Sequence, residues 1–317
     1  MGRAETADAK NCDPHGSLPE PETAATVPAM RQRKIAAAPI SWGVCEVPDW
    51  GVQLAPDRVL RDAARLGFSA IEAGPPGFLP FDVRAAARTL DGHGLRCIGG
   101  FVTAVLHDRT RRDVELASVE QQAKALRALG SELLVLAAAT GRDGYEDRTE
   151  LSQEEWATLF DTLPLVEAIA AASQLAVVVH PHVGTVIERP GDIEKLLAGS
   201  HVSLCLDTGH IFVGGGDPAL IARAAGRRVK HVHLKDARAT LAEDVRGRRL
   251  SYAAAVQHGL YTPLGEGDAK IGDVLTVLRE GGYDGWYVLE QDVALKDASV
   301  DPLPGIERSL IFVSARV

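Results

Sequence analysis

The sequence predicts an α/β fold in which one chain closes into a single (β/α)8 barrel of the TIM type. Three observations predict it. From Lys34 onward short apolar runs alternate with helix-period patterns, the signature of βα units and a parallel sheet. Eight such runs span roughly 250 residues, the usual size of a closed barrel. No G-x-G-x-x-G turn follows an early strand, which disfavours the runner-up, an open doubly wound sheet; Gly214-Gly215-Gly216 comes after a late strand and reads as a loop.

The runs are Lys34 to Ile40, Ser69 to Ala73, Leu95 to Phe101, Glu132 to Ala138, Leu175 to Val179, Val202 to Leu206, Val229 to Leu234 and Trp286 to Leu289. Several are apolar throughout, as strands covered on both faces must be. Between them the helices are punctuated. Pro56 opens and Gly67 closes the first. Ser152-x-x-Glu155 is a capping box before the apolar face Trp156, Leu159, Phe160, Leu163 and Val166, and Pro164 is expected to kink or split that helix. Asp217-Pro218 and Gly226 bracket another, while Val274, Leu275 and Leu278 face inward from the last before Gly281-Gly282. The barrel domain is therefore placed at residues 34–317. Residues 1–33, rich in Ala, Pro, Glu and Thr, read as a disordered tail.

Composition narrows the partners. A formal charge of -9 disfavours nucleic acid, which rewards clustered Lys and Arg. No apolar run approaches the roughly 20 residues that cross a bilayer. The first thirty residues lack the apolar stretch of a signal peptide, and Cys12, Cys45, Cys97 and Cys205 are scattered singly, as reduced thiols of a cytoplasmic protein would be.

A parallel barrel carries its chemistry at the C-terminal face, so the residues ending the strands matter most. The fifth run ends in His180-Pro181-His182, the sixth in Asp207-Thr208-Gly209-His210, the seventh in His231-Val232-His233-Leu234-Lys235-Asp236 and the eighth in Glu290-Gln291-Asp292. Neighbouring strands lie about 4.8 Å apart and curve together, so one side chain from each can meet at one ion. His180, Asp207, His233 and Glu290 form that expected cage. Two imidazoles and two carboxylates suit a transition-metal dication better than Ca²⁺. A lone strand-end His or Asp is more often a cap or a solvated side chain; four adjacent strands ending so is a different matter. His180 and His182 compete for one position, as do His231 and His233. His210 reaches substrate or caps a turn. Glu72, ending the second run, is expected to serve as an acid/base or hydroxyl-binding carboxylate, and Lys235 and Arg238 to hold substrate oxygens or stabilise an enolate. The stretch from Asp236 to Gly267 reads either as a lid or as a solvated excursion.

The segments Ala38-Pro39-Ile40-Ser41-Trp42, His180-Pro181-His182-Val183-Gly184-Thr185, Leu206-Asp207-Thr208-Gly209-His210, Lys230-His231-Val232-His233-Leu234-Lys235-Asp236-Ala237-Arg238, Pro263-Leu264-Gly265-Glu266-Gly267 and Gly285-Trp286-Tyr287-Val288-Leu289-Glu290 resemble the xylose-isomerase-like sugar phosphate isomerase/epimerase superfamily, and within it the inosose dehydratases most. The resemblance covers about Lys34 to Asp292. It implies a small polyol or sugar carrying a ketone, bound by a divalent metal, Mn²⁺ or Co²⁺ first, with Zn²⁺, Fe²⁺ or Mg²⁺ also compatible. It implies a lyase that dehydrates an inosose-type keto-polyol through a metal-stabilised enediolate, with Glu72, His182, His210 and Lys235 catalytic and Trp42, Arg238 and Glu266 against the substrate. Reprotonating the same intermediate elsewhere would make an isomerase or epimerase instead. A non-catalytic sugar-binding barrel is the rival of another class, and a homodimer is expected by analogy.

Overall fold

The computed structural model describes residues 34–317, together with Met1; the expected disordered tail at 1–33 otherwise lies outside the described residues. The barrel strands are β1 (Ile35–Ala37), β2 (Ala70–Ile71), β3 (Arg96–Cys97), β4 (Phe101–Ala104), β5 (Leu133–Ala138), β6 (Ala176–Val179), β7 (Ser203–Asp207) and β8 (Val229–Leu234). A rim pair follows, β9 (Asp236–Ala237) and β10 (Tyr261–Thr262), and then β11 (Tyr287–Leu289). The helices are α1 (Pro56–Arg65), α2 (Val83–Gly92), α3 (Arg112–Ala128), α4 (Gln153–Ala172), α5 (Pro190–Gly199), α6 (Thr208–Val213), α7 (Pro218–Ala225), α8 (Ala239–Arg246), α9 (Tyr252–Gln257), α10 (Ile271–Glu280) and α11 (Leu303–Ser314).

The main sheet runs in the order β3-β2-β1-β11-β8-β7-β6-β5-β4, with every pairing parallel. Its two ends, β3 and β4, lie on either side of Gly99-Gly100; β3 falls within the expected run Leu95 to Phe101, whereas β4 begins at that run's last residue and continues to Ala104. Ala73 N–H donates to Gly99 O (2.9 Å) and Val135 N–H to Gly100 O (3.0 Å). The interrupted strand is thus bonded on both sides, and the sheet closes into the eight-position barrel that the alternation predicts. Gly100 sits where Leu126 presses inward; a Cβ there would lie 2.4 Å from the leucine side chain. The first run is shorter than expected because Pro39 turns the chain into a 3-10 helix, Pro39–Trp42.

The helical punctuation holds. Ser152 and Glu155 form the reciprocal capping box of α4, and Asp217 accepts from Ala219 N and Leu220 N at the start of α7. The split expected at Pro164 is not found: α4 continues through it to Ala172. Outside the barrel core, Asp236 to Gly267, read as a lid or a solvated excursion, is not a solvated excursion. It folds as β9, α8, α9 and β10, with β9 and β10 antiparallel. Its Ala237, Ala242, Val245, Tyr252, Ala255, Val256, Leu260 and Tyr261 pack with Cys45, Trp50, Val183 and Val213 into a second hydrophobic cluster on the barrel rim. No helix among the described residues is long and apolar enough to cross a membrane.

Candidate active site

The tips of β6, β7, β8 and β11 meet at one place. His180 Nε2 lies 3.2 Å from Asp207 Oδ2, and His233 Nδ1 lies 3.6 Å from the same oxygen and 3.3 Å from Glu290 Oε2. All four side chains are buried. Register brings them level: Asp207 pairs with His233, and His233 with Val288, two residues before Glu290. Ligands at about 2.1 Å from a shared ion stand roughly 3–3.5 Å apart, which is the spacing seen.

The two histidines of β8 divide their work. His231 Nε2 donates to Glu72 Oε1 (2.7 Å), and His233 Nε2 donates to the same oxygen (3.0 Å). Because a carboxylate accepts, both imidazoles carry a proton on Nε2. His233 Nδ1 faces two carboxylate oxygens. Burial opposes a positive charge on His233, yet its neighbours, Glu290 and Glu72 among them, raise its pKa well above 6.5. The position calls for a cation, and a metal ion on Nδ1, with the imidazole tied back to a carboxylate, would take the place of the proton. Charge agrees: Glu72, Asp207, Glu290 and Asp292 are buried beside one ammonium, Lys235. The donor set therefore fits a divalent metal ion. Asp207, His233 and Glu290 offer ligand atoms that lie within 4.8 Å of one another, and three further triads share His233 or Asp207 with them: His180–Cys205–His233, Glu72–His231–His233 and His180–Asp207–His210. Cys205 is the weakest donor, since burial pushes its thiol up to about 11.

Around the donors lies a cavity of about 270 Å³. Lys235 Nζ enters it 3.0 Å from Glu290 Oε2, 2.8 Å from Asp292 Oδ1 and 3.5 Å from Asp207 Oδ2. Burial alone would lower its pKa, but these carboxylates raise it well above the ordinary lysine value. The same pairing works in reverse at Glu290: burial opposes ionisation, yet His233 and Lys235 bring its pKa down to about 2. Gly209 leaves room for the lysine stem, because a Cβ there would lie 2.7 Å from Lys235 Cβ.

Lys235 also starts a closed circuit of side chains. It donates to His210 Nε2 (3.0 Å), His210 Nδ1 lies 3.4 Å from Tyr261 Oη, Tyr261 Oη lies 3.1 Å from Tyr252 Oη, and Tyr252 donates to Asp292 Oδ2 (2.9 Å). A longer contact, Val183 N to His210 Nδ1 at 3.5 Å, would require the other tautomer. The shorter bond from a charged ammonium decides for a proton on Nδ1. Burial, and then Glu290, raise Asp292 above the usual carboxylate range.

His182 differs from all of these. Its Nδ1 donates to Val183 O (2.7 Å), which leaves the Nε2 lone pair available. Its ring stacks on His210 with centroids 3.7 Å apart and tilts against Tyr145 at 4.6 Å. Burial first, then His180 and Lys235, hold the His182 pKa well below 6.5, so it is neutral at neutral pH.

Of the expected site residues, the structure brings together His180, Asp207, His233, Glu290, Glu72, His182, His210 and Lys235. Glu72 lines the cavity, but its Oε1 is committed to two imidazoles and its pKa is driven down by them against the effect of burial. Of its two expected roles, acid/base or hydroxyl-binding carboxylate, this commitment leaves only Oε2 without an imidazole partner. Three expected substrate contacts lie outside the cavity lining. Trp42 is fully buried in the main core. Arg238 is exposed at the start of α8. Glu266 pairs with Arg308 at 2.6 Å on the outside, because Asp236 accepts from the N–H groups of Gly265, Gly267 and Ala269 and folds that turn away from the cavity. Trp50 is the tryptophan that lines the cavity, its indole N–H donating to Val293 O. Asp292 stood beside a predicted ligand at ligand-like spacing, a signal that could have found it; Tyr252, Tyr261 and Tyr145 carried none, because segments packed onto the rim bring them in.

With this geometry in place, comparison with known proteins assigns the lineage. The model of the xylose isomerase-like TIM barrel matches residues 60–312. The chain belongs to that family. It is 30% identical over 270 residues to a Geobacillus kaustophilus protein named inosose dehydratase, covering 82% of this chain and 87% of the relative. Among solved structures, a Methylomonas D-allulose 3-epimerase in complex with D-allulose superposes with a TM-score of 0.64 at 16% identity, covering 90% of this chain and 97% of the other. The IOLI protein with a bound zinc atom superposes with a TM-score of 0.66 at 14% identity, covering 90% and 99%. These two likenesses establish the fold. The chain is an enzyme of the xylose isomerase-like superfamily.

Proposed function

We propose that the protein is a divalent-metal-dependent carbon–oxygen lyase that dehydrates a neutral keto-polyol of the inosose type. The observation that carries this reading is the convergence of His233 Nδ1, Asp207 and Glu290, with His180 against Asp207, at the inner end of a cavity that also holds a neutral imidazole, His182. The name of the Geobacillus relative supports the dehydratase assignment. His180, Asp207, His233 and Glu290 would hold the ion, with Mn²⁺ or Co²⁺ the expected metals. When bound, it would polarise the ketone and offset the charge of an enediolate.

The chain's own residues supply the rest. His182 Nε2 takes the proton from the carbon next to the ketone. Lys235 donates hydrogen bonds to the oxygen on which charge builds. The C–O bond of the β-hydroxyl then breaks, and that oxygen leaves as water with a proton supplied through the Lys235–His210–Tyr261–Tyr252–Asp292 circuit, whose charged donor is the Lys235 ammonium. Glu72 positions His233. Walls of Trp50, Phe101, Tyr145 and Tyr252 limit water.

Incubating Mn²⁺-loaded protein with 2-keto-myo-inositol and with ketohexoses tests the reading. Dione absorbance that disappears after chelation and returns with Mn²⁺ supports it. Epimer formation without dione would reassign the enzyme as an epimerase, and ligand binding without either product would make it a sugar-binding barrel.

A further inference from the structure

The cavity at the strand tips is not closed. At Val44, Cys45, Glu46, Pro75 and Pro76 it borders a second space, a groove of about 610 Å³ whose remaining walls are Gln53, Leu54, Ala55, Pro56, Gly77 and Phe78. The two spaces share these five residues, so the groove adjoins the cavity that holds the metal donors.

Their chemistry differs from one end to the other. Ionisable groups concentrate at the inner end: Glu72, His180, His182, His210, His233, Lys235, Glu290 and Asp292. The outer groove is walled mainly by aliphatic, proline and aromatic side chains, with Gln53 and Glu46 as its polar members. Gln53 is occupied, donating to Cys45 O (2.7 Å), and Glu46 is engaged by the Tyr145 hydroxyl. Burial, and then Glu46, raise the Cys45 thiol to about 12, so it stays a neutral, weakly polar wall. Among the described residues no Arg or Lys lines the groove, and Lys235 of the inner cavity is not one of its walls. A phosphate or carboxylate substituent would find no counter-charge and would meet Glu46.

We propose that this groove is a substituent subsite: the substrate is a ring ketone carrying an uncharged apolar group, and that group lies between the 44–56 and 75–78 segments while the oxygen-rich ring meets the strand tips. A bare polyol would leave this apolar wall against water. The inference rests on the metal-dependent reading above and adds the class of substrate to it.

The test compares two neutral ring ketones, 2-keto-myo-inositol and its phenyl ether, by titration calorimetry on the Mn²⁺-loaded full chain. Burying a phenyl-sized surface predicts about ten- to hundredfold tighter binding of the ether. Ala55→Trp, at an exposed groove position outside the catalytic machinery, should erase that gain while leaving binding of the bare ketone unchanged. Equal affinities in the native protein, or an Ala55→Trp variant that weakens both ligands alike, would overturn the subsite and leave the metal-site reading standing. Binding of the bare ketone that is indifferent to chelation would instead strike the metal-site reading, and this proposal with it.

Discussion

Asp207, His233 and Glu290 stand at the ends of strands bonded to neighbours in a closed sheet, whereas Tyr252 and Tyr261 reach the same cavity from a segment held by a few clasps. The clasps can be named. Arg148, paired with Glu188 at 3.2 Å, donates to the carbonyls of Arg246 and Val245 at the end of α8. Glu146 accepts from Tyr252 N and Ala253 N at the start of α9. Arg246 donates back to the carbonyls of Phe212 and Val213. The difference teaches that ligand geometry is fixed by sheet register, while access and the Lys235–His210–Tyr261–Tyr252–Asp292 circuit depend on how the cap is seated. Damage to the two regions should therefore look different.

The largest effect is expected at the strand tips. Asp207→Asn should abolish bound metal by elemental analysis and cut turnover by roughly 10⁴-fold or more, with the fold retained by circular dichroism; full metal occupancy in this variant would break the comparison. His182→Gln should keep the metal and lose about 10²- to 10³-fold in kcat, because only the proton acceptor is gone.

Next comes pH. The pKa values of His182 and His210 are lowered by burial, so the folded protein refuses protons that the unfolded chain takes up below about 6.5. Their contribution is complete above that value and is lost as pH falls through the acid range. The urea midpoint should accordingly be lower at pH 5.5 than at 7.5, and an equal midpoint would show that these rings are not held neutral. Glu72→Gln should weaken metal affinity about 10- to 100-fold without removing a ligand, read by competition with a chelating dye.

The smallest effect belongs to the cap. Glu146→Ala should cost about 1 kcal/mol locally, as loss of a helix cap does. Faster hydrogen exchange confined to residues 251–257, with metal content unchanged, would show that the cap loosens independently of the floor.

The sequence was most readable where one periodicity dominates. Val229 to Leu234 is read residue for residue, since Val229, Val232 and Leu234 mark a buried strand and the two inward histidines stand out among them. The third run is located by its apolar residues, but its interruption at Gly99-Gly100 is not, because only packing against Leu126 reveals why a glycine is needed at Gly100. Among the site residues, those on strand tips were legible because register places them. Trp42 and Glu266 misled: a tryptophan in the short turn that Pro39 begins can face inward or outward, and the direction of Glu266 depends on Asp236 holding the turn from 29 or more residues earlier in the chain. The tyrosines of the circuit depend on a tertiary cap that no local pattern encodes.

The cap begins and ends at neighbouring points: β9 pairs with β10, and Arg238 N–H donates to Leu260 O at 2.9 Å. An excursion whose two feet are stitched together can be exchanged for another of different length without shifting a strand of the barrel. Lineages built on this scaffold can therefore acquire new specificity by replacing one module while the ion-binding floor is inherited unchanged.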